Sequence, residues 1–543
     1  MNNFENNFKY QENKSNLKIS FERVAFIFFV FFIITAIFSS KTIYLGLKKI
    51  PQTKVLKEKE KYRASIMDRD GNIIAKTVRV TNLGINPKQL INKDKLLISL
   101  RLIFPNKNFE KEINGNKFFY VKRKISPDKL EKIKLLGEKS FKEEENIARV
   151  YPNGNLFSHI LGQIDTDNNG VSGIEKSFDY ELTTSNTPLK LTLDTELQYL
   201  TRQELIKFQN VFKSYGSTAI LMNIHSGEVL SMVSLPDFDL NKRNKIFDKK
   251  FLNRSTKGVY ELGSVFKTFT FAAGLQNKVI KEDTLFENLP KKIKCAGRSI
   301  SEYDMDIPSK LTAEQILIRS GNIGSIKIAQ KVGLENYRKF LEELDLLNKT
   351  EFDIEEIGNP IPFNWGKCKL ATSAYGHGIT TTPLQLAKAY AIISNGGYKI
   401  KPTLIKREKN LKKGEQIISE ENSKKINAIL RKIVTTEEGT ANLANIAGYE
   451  IAGKTGTAQK SIKGKYSKKK INTFASIFPV SKPKYVLIVL LDEPKLSQTY
   501  VYKYNDGKEK SIVGTPFNTA GWTSVEVAKN IIEKIGPILA IKY

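Results

Sequence analysis

A chain of 543 residues is too long for one core, so two or three domains are expected, and 40% apolar residues with 31 Phe can fill them. The formal charge of +30 is mostly lysine; without zinc-finger spacing, an RNP-type aromatic motif or a compact basic helix it reads as a solvated surface attracted to anionic lipids or polymers, and nucleic acid is not an expected partner. Three scattered histidines and two distant cysteines, Cys295 and Cys368, offer no clustered ligand set, so no metal site is expected, and in a hydrolase or acyltransferase lysine is the natural base.

Residues 1–23 are polar and Asn-rich and read as a short disordered tail. Val24 to Ser40 carries no charge and is at the short end of the ~17–25 residues that span a bilayer. Small residues are not paired where a signal peptidase would cut, so an uncleaved anchor is favoured over a cleaved signal. Lysines on both flanks leave the orientation open on charge alone.

Residues 41–190 read as a scaffold domain. Ile66 to Ile74 predicts a hairpin around Asp70-Gly71, short amphipathic helices fill roughly 87–145, and Gly- and Asx-rich loops follow at Gly162–Asp165 and Asn168–Glu175. Nothing in this stretch assembles an active site. The cysteines of the following region read as two buried thiols, with one disulfide as the alternative in an oxidising compartment.

From residue 191 onward the texture changes. Ser217–Ile224 and Glu228–Ser234 predict one strand pair, and Asn472–Phe478 with Tyr485–Leu491 predict a second. Helices are expected at 264–275, 313–319, 323–332 and 383–394, and over 524–535 with Ser524 as N-cap. Strands at both ends with helices between imply one antiparallel sheet closed by the two ends of the region, covered by helices and carrying a helical insert: an α+β domain.

Three short motifs fall inside this frame. Ser264 and Lys267 are three residues apart where a buried helix opens, so hydroxyl and amine share a face. A serine needs a base to become a nucleophile, and a lysine can serve only if burial or a second cation lowers its pKa. Ser320-Gly321-Asn322 lies between two helices, and Lys454-Thr455-Gly456-Thr457 precedes the last strand pair. Each triplet is common; their order and settings are not.

The set resembles the penicillin-binding and serine β-lactamase superfamily. Arg63 to Gly71, Arg149-Val150-Tyr151-Pro152 and Gly173-Ile174-Glu175 look like blocks of the non-catalytic domain of class B penicillin-binding proteins. Ala374-Tyr375-Gly376-His377-Gly378-Ile379, Thr382–Ala387 and the stretch from Phe478 to Pro494 are similar to the cell-division type. Ala64 and Leu262 depart from that pattern, where Gly and Pro are usual.

The resemblance implies a single-pass protein of the bacterial inner membrane: tail 1–23, anchor 24–40, an elongated α+β pedestal of the dimerisation type over 41–190, and a transpeptidase domain over 191–543 in the periplasm. It implies a D,D-transpeptidase that cross-links D-Ala-D-Ala stem peptides of septal peptidoglycan, is acylated by β-lactams, and works beside divisome membrane proteins including a separate glycan polymerase. Ser264 is the implied nucleophile. Lys267, kept neutral by burial and by the charge of Lys454, takes its proton, with Lys454 acting directly as base the open alternative; Ser320 relays a proton to the leaving amine; Asn322 holds Lys267 and the substrate amide. Lys454, Thr455, Gly456 and Thr457 bind the substrate carboxylate, and the backbone N–H groups of Ser264 and Thr457 form the oxyanion hole. The rival expectations are a D,D-carboxypeptidase or β-lactamase with water as acceptor, and a non-catalytic scaffold or sensor.

Overall fold

The computed structural model describes residues 14–47, 62–242, 249–366, 368–406, 413–462, 464–505 and 509–543. It divides into Met1–Lys61 and a compact body from Tyr62 to Tyr543.

In the first unit the described residues form one helix, Lys14–Leu47. Its segment Arg23–Leu47 is 25 residues long and apolar enough to cross a membrane, a rise of ~37 Å against a hydrocarbon core of ~30 Å. The apolar stretch outruns the expected 24–40 because Lys41 does not break it, and the Thr35 and Thr42 hydroxyls fold back onto the carbonyls of Phe31 and Phe38, each at 2.7 Å. Residues 14–23, expected to be disordered, are helical; the rest of the tail, 1–13, lies outside the described residues.

In the second unit the N-terminal part builds a sheet from Ile66–Met67, Ile73–Ile85, Phe119–Ile125, Phe141–Val150 and Leu189–Lys190. The predicted turn is held by Asp68, whose carboxylate accepts the N–H groups of Asp70 and Asn72 at 3.0 and 2.8 Å. Helices Lys93–Ile103, Glu110–Asn114 and Pro127–Lys134 close a small separate core around Leu83, Leu100, Phe109, Val121 and Ile133.

The sequence blocks around Arg63, Arg149 and Glu175 converge on a buried ion cluster. Glu175 accepts from Arg63 Nε at 2.9 Å, Arg149 Nε at 2.8 Å and the Tyr151 hydroxyl at 3.2 Å. Asp179 pairs with Arg63 Nη1 at 2.5 Å. Ala64 fits this cluster, since its carbonyl accepts Arg149 Nη1 at 2.7 Å.

The remainder is organised by the predicted antiparallel sheet, in the order Ala452–Ile462, Lys465–Phe478, Tyr485–Asp492, Gly216–Asn223, Val229–Leu235. Strands from the start and the end of the region meet where Tyr485–Asp492 pairs with Gly216–Asn223. These inner strands are buried at almost every position, so both faces must be covered. Helices Thr195–Val211 and Ser524–Lys542 pack on each other and on the sheet, and Pro383–Ser394 packs on the same strands from the helical insert. Thr382 caps that last helix with a reciprocal Gln385 bond and Pro383 in the first turn. The terminal helix starts one residue earlier in role than expected: Ser524 is its first residue, not its cap, and its hydroxyl donates to the Ala520 carbonyl.

Cys295 and Cys368 form a disulfide, with Cα atoms 5.8 Å apart, which corrects the expectation of two thiols. Sequence separation hid the pairing; folding brings the hairpin Lys292–Cys295/Arg298–Ser301 against the residue that enters helix Lys369–Ser373.

Candidate active site

Ser264 sits in a 3₁₀ turn, Gly263–Phe266, that feeds directly into helix Lys267–Gln276. Gly263 is needed at the entrance because its φ is +62°. The edge strand Ala452–Ile462 runs past this turn at backbone distance: a Cβ on Gly456 would lie 2.2 Å from the Leu262 carbonyl, and one on Gly263 would lie 2.9 Å from the Thr457 carbonyl. The glycine of Lys-Thr-Gly-Thr is therefore a close-approach residue. Leu262 is fully buried, so its replacement of proline fills core without disturbing the turn.

The three motifs line one cavity of about 1160 Å³, which includes Ser264, Lys267, Ser320, Asn322, Thr455 and Thr457. Ser320 joins them. It has φ +60°, a conformation that costs of order 1–3 kcal/mol outside glycine, and Lys267 holds it there. Lys267 Nζ donates to the Ser320 carbonyl and, at 3.2 Å, to its hydroxyl. Lys454 Nζ donates to the same hydroxyl at 2.8 Å and to the Thr455 carbonyl at 3.1 Å. One hydroxyl thus receives two lysines, and its own proton is left to face the cavity.

Both lysines are withdrawn from water, Lys267 to 1% exposure and Lys454 to none. Burial lowers Lys267 to about 7, with the Glu302 carboxylate opposing the drop. Lys454 is pushed well below the lysine range by burial and then by the charge of Lys267. The two ammonium groups repel each other across the Ser320 hydroxyl, and Lys267 also has the Glu302 carboxylate as a neighbour.

Two further expectations are corrected or extended. Asn322 does not hold Lys267; its side chain donates to the Ser301 carbonyl at 2.9 Å, because it opens helix Asn322–Val332 and turns toward the adjoining hairpin. The threonine hydroxyls are already engaged: Thr455 with Thr440 at 2.6 Å, and Thr457 accepting the Ala520 N–H at 2.9 Å. Among the described residues no hydrogen bond joins Ser264 Oγ to Lys267 Nζ; such contacts often tighten only when substrate is bound.

The walls also hold residues that the motifs did not name. Glu302 is buried and accepts the N–H groups of Asn322 and Ile323 at 2.6 and 2.8 Å. Tyr375 and His377 stack there with centroids 5.8 Å apart, and Tyr466, outside the lining, stacks on His377 at 4.6 Å and donates to Glu261 at 3.0 Å. Tyr375 and His377 lay inside a block that the resemblance used, so they had a signal. Glu302 had none, since its partners lie 20 residues further on.

A sheet with a helical insert, a serine turn and two buried lysines meeting on one hydroxyl is the arrangement a serine acyltransferase calls for, and comparison with known proteins gives the family of the chain. Residues 217–515 match the model of the penicillin binding protein transpeptidase domain, and residues 58–204 match that of the penicillin-binding protein dimerisation domain. The chain belongs to the penicillin-binding protein transpeptidase family.

Among its relatives are a probable peptidoglycan D,D-transpeptidase FtsI of Caulobacter vibrioides, 29% identical over 88% of this chain and 82% of the relative, and the peptidoglycan D,D-transpeptidase FtsI of Escherichia coli K12, 29% identical over 81% and 80%. Stage V sporulation protein D of Bacillus subtilis is 30% identical over 80% of this chain and 75% of its own. The fold matches that of penicillin binding protein 3 from Mycobacterium tuberculosis, solved with aztreonam, at a TM-score of 0.67 and 22% identity over 88% of this chain and 96% of that one.

Proposed function

We propose that this protein is a peptidoglycan D,D-transpeptidase of the cell-division type and that Ser264 is its nucleophile. The observation that carries the reading is the Ser320 hydroxyl, bonded to both buried lysines inside the cavity that Ser264 lines.

In acylation, Ser264 Oγ attacks the carbonyl between the two D-alanines of a stem peptide and passes its proton to Lys267, whose lowered pKa leaves it partly neutral near pH 7. The peptide C–N bond breaks, and the departing D-Ala amine takes a proton through Ser320. The tetrahedral oxyanion is met by the backbone N–H groups of Ser264 and Thr457, worth ~3 kcal/mol per donor in such sites. Lys454, Thr455, Gly456 and Thr457 receive the terminal carboxylate, whose charge draws a proton back onto Lys454. An amine of a second stem peptide then attacks the ester, forming the cross-link and restoring Ser264. A β-lactam enters by the same first step. Asn322, on the cavity wall, contacts the substrate amide and not Lys267.

The proposed organisation is tail 1–23, membrane anchor, pedestal 41–190 and transpeptidase domain 191–543, with everything after the anchor outside the cytoplasm. Stem peptides lie on that side, and the Cys295–Cys368 disulfide suits an oxidising compartment. A monofunctional transpeptidase needs a glycan polymerase beside it among the membrane proteins of the septum.

The test is the lifetime of the adduct. Purified protein mixed with a labelled penicillin is expected to keep its ester for many minutes. Fast release of hydrolysed drug, with continued turnover, would mean a β-lactamase.

A further inference from the structure

We infer that Glu302 is a positioning residue for the acyl-transfer centre: its carboxylate, set in the cavity beside Lys267, clamps the start of helix Asn322–Val332 and so fixes the Ser320 groups on which both lysines rest. The inference rests on the function proposed above.

The geometry is specific. Gly321, at the cap position of that helix, has no side chain to accept the first N–H groups, and a helix start without partners is costly. Glu302 supplies both acceptors, one oxygen to Asn322 N–H at 2.6 Å and the other to Ile323 N–H at 2.8 Å. A negative charge there also complements the helix dipole. Two residues before Asn322 is Ser320, whose left-handed backbone presents its carbonyl and hydroxyl to Lys267. Releasing the helix start therefore releases the hydroxyl that joins the lysines.

Glu302 is itself delivered rigidly. It follows the strand Arg298–Ser301, its N–H donates to the Lys291 carbonyl at 3.0 Å, and the Ser301 carbonyl accepts the Asn322 amide. The hairpin is tied by the Cys295–Cys368 disulfide to the residue before helix Lys369–Ser373.

Charge adds a second effect. Lys267 rests on the carbonyl and hydroxyl of Ser320, with Lys454 beyond that hydroxyl, and the other charged or imidazole groups lining the same cavity are Glu302, Asp304, Arg319, His377, Glu437 and Glu438. Glu302 is the acid whose charge raises the Lys267 pKa against burial. Elsewhere on the wall, Arg319 is occupied by Glu438 at 2.6 Å. Glu302 thus sets how far burial can lower Lys267, and with it the pH at which that amine becomes a base.

The test is the rate of acylation by a fluorescent penicillin between pH 5 and 9. For the wild type, the rate climbs with pH through the Lys267 titration near 7. Glu302→Gln keeps one acceptor and loses the charge. Its plateau is expected to fall about tenfold, and its acid limb to move down by about one pH unit, the low end of what a neighbouring opposite charge does. Glu302→Asp keeps the charge on a shorter arm, so its plateau falls while its limb stays with the wild type.

A Gln variant with the wild-type profile, or with a lower plateau and an unmoved limb, overturns the inference. So does an Asp variant whose limb moves, which decides the matter even if the Gln protein fails to fold. A wild-type protein that forms no adduct removes the proposed function itself, an outcome distinct from any variant result.

Discussion

Replacing Cys295 and Cys368 together by serine probes how the cavity is held. The bond closes a loop with a sequence separation of 73. In the chain-entropy picture, a cross-link over that span costs the unfolded state about 4 kcal/mol, so the double variant is expected to be less stable by up to that amount. Unfolding entropy near ~2.1 cal/mol/K per residue, over a body of roughly 480 residues, gives a fall in Tm of about 4 °C.

Function is expected to follow, because the bond joins the hairpin that carries Glu302 to the segment leading into Tyr375 and His377, all of which line the cavity. Penicillin acylation should slow several-fold at 37 °C. Differential scanning calorimetry with and without reductant, beside an acylation time course, reads both effects. A double-serine protein with the wild-type Tm, or two free thiols titrated in the folded oxidised protein, would refute the reasoning.

Three other outcomes follow from buried charge. Glu175→Ala leaves Arg63 and Arg149 without their common acceptor, and Arg149 Nη2 already lacks a hydrogen-bond partner among the described residues; breaking such a pair costs ~3–5 kcal/mol, measurable as a shift of the denaturation midpoint, and a loss below 1 kcal/mol would contradict it. His159, with its ring edge-on to Phe238 and bonded to the Lys250 carbonyl, is held down to about 4 by burial. The unfolded chain therefore binds a proton between about 4 and 6.5 that the folded chain refuses. Stability is lost as pH falls through that window, by about 3 kcal/mol at its lower end, and His159→Gln flattens that part of the urea-stability profile. Lys267→Arg fixes a charge where a neutral amine is required, so acylation should fall by ~10²–10⁴ at every pH; a rate restored at pH 9 would exclude Lys267 as base.

Local signals carried the sheet. Strand pairs at the two ends of the region, the Thr382-Pro383 helix start and the three motifs each announce themselves within a few residues, and their meeting in one cavity follows from topology. What the sequence concealed depends on distance. Arg63, Arg149 and Glu175 were visible as blocks, but nothing near any of them says that they neutralise one another in the interior. The Cys295 and Cys368 thiols look independent until a hairpin without a strong alternating pattern forms beside a short helix. Asn322 illustrates a finer limit: its position was legible, while the direction of its side chain was set by the Ser301 carbonyl that folding places next to it. Which lysine carries the proton was likewise unreadable, because the acid that Lys267 feels, Glu302, stands far from it in sequence.

Labelling of wild type and Ser264→Ala with a fluorescent penicillin, resolved on a denaturing gel, bears most directly on the serine at the centre of this site. A covalent band with the wild type and none with the variant, both proteins melting alike, is the predicted result. A labelled Ser264→Ala band would move the nucleophile elsewhere and contradict the assignment.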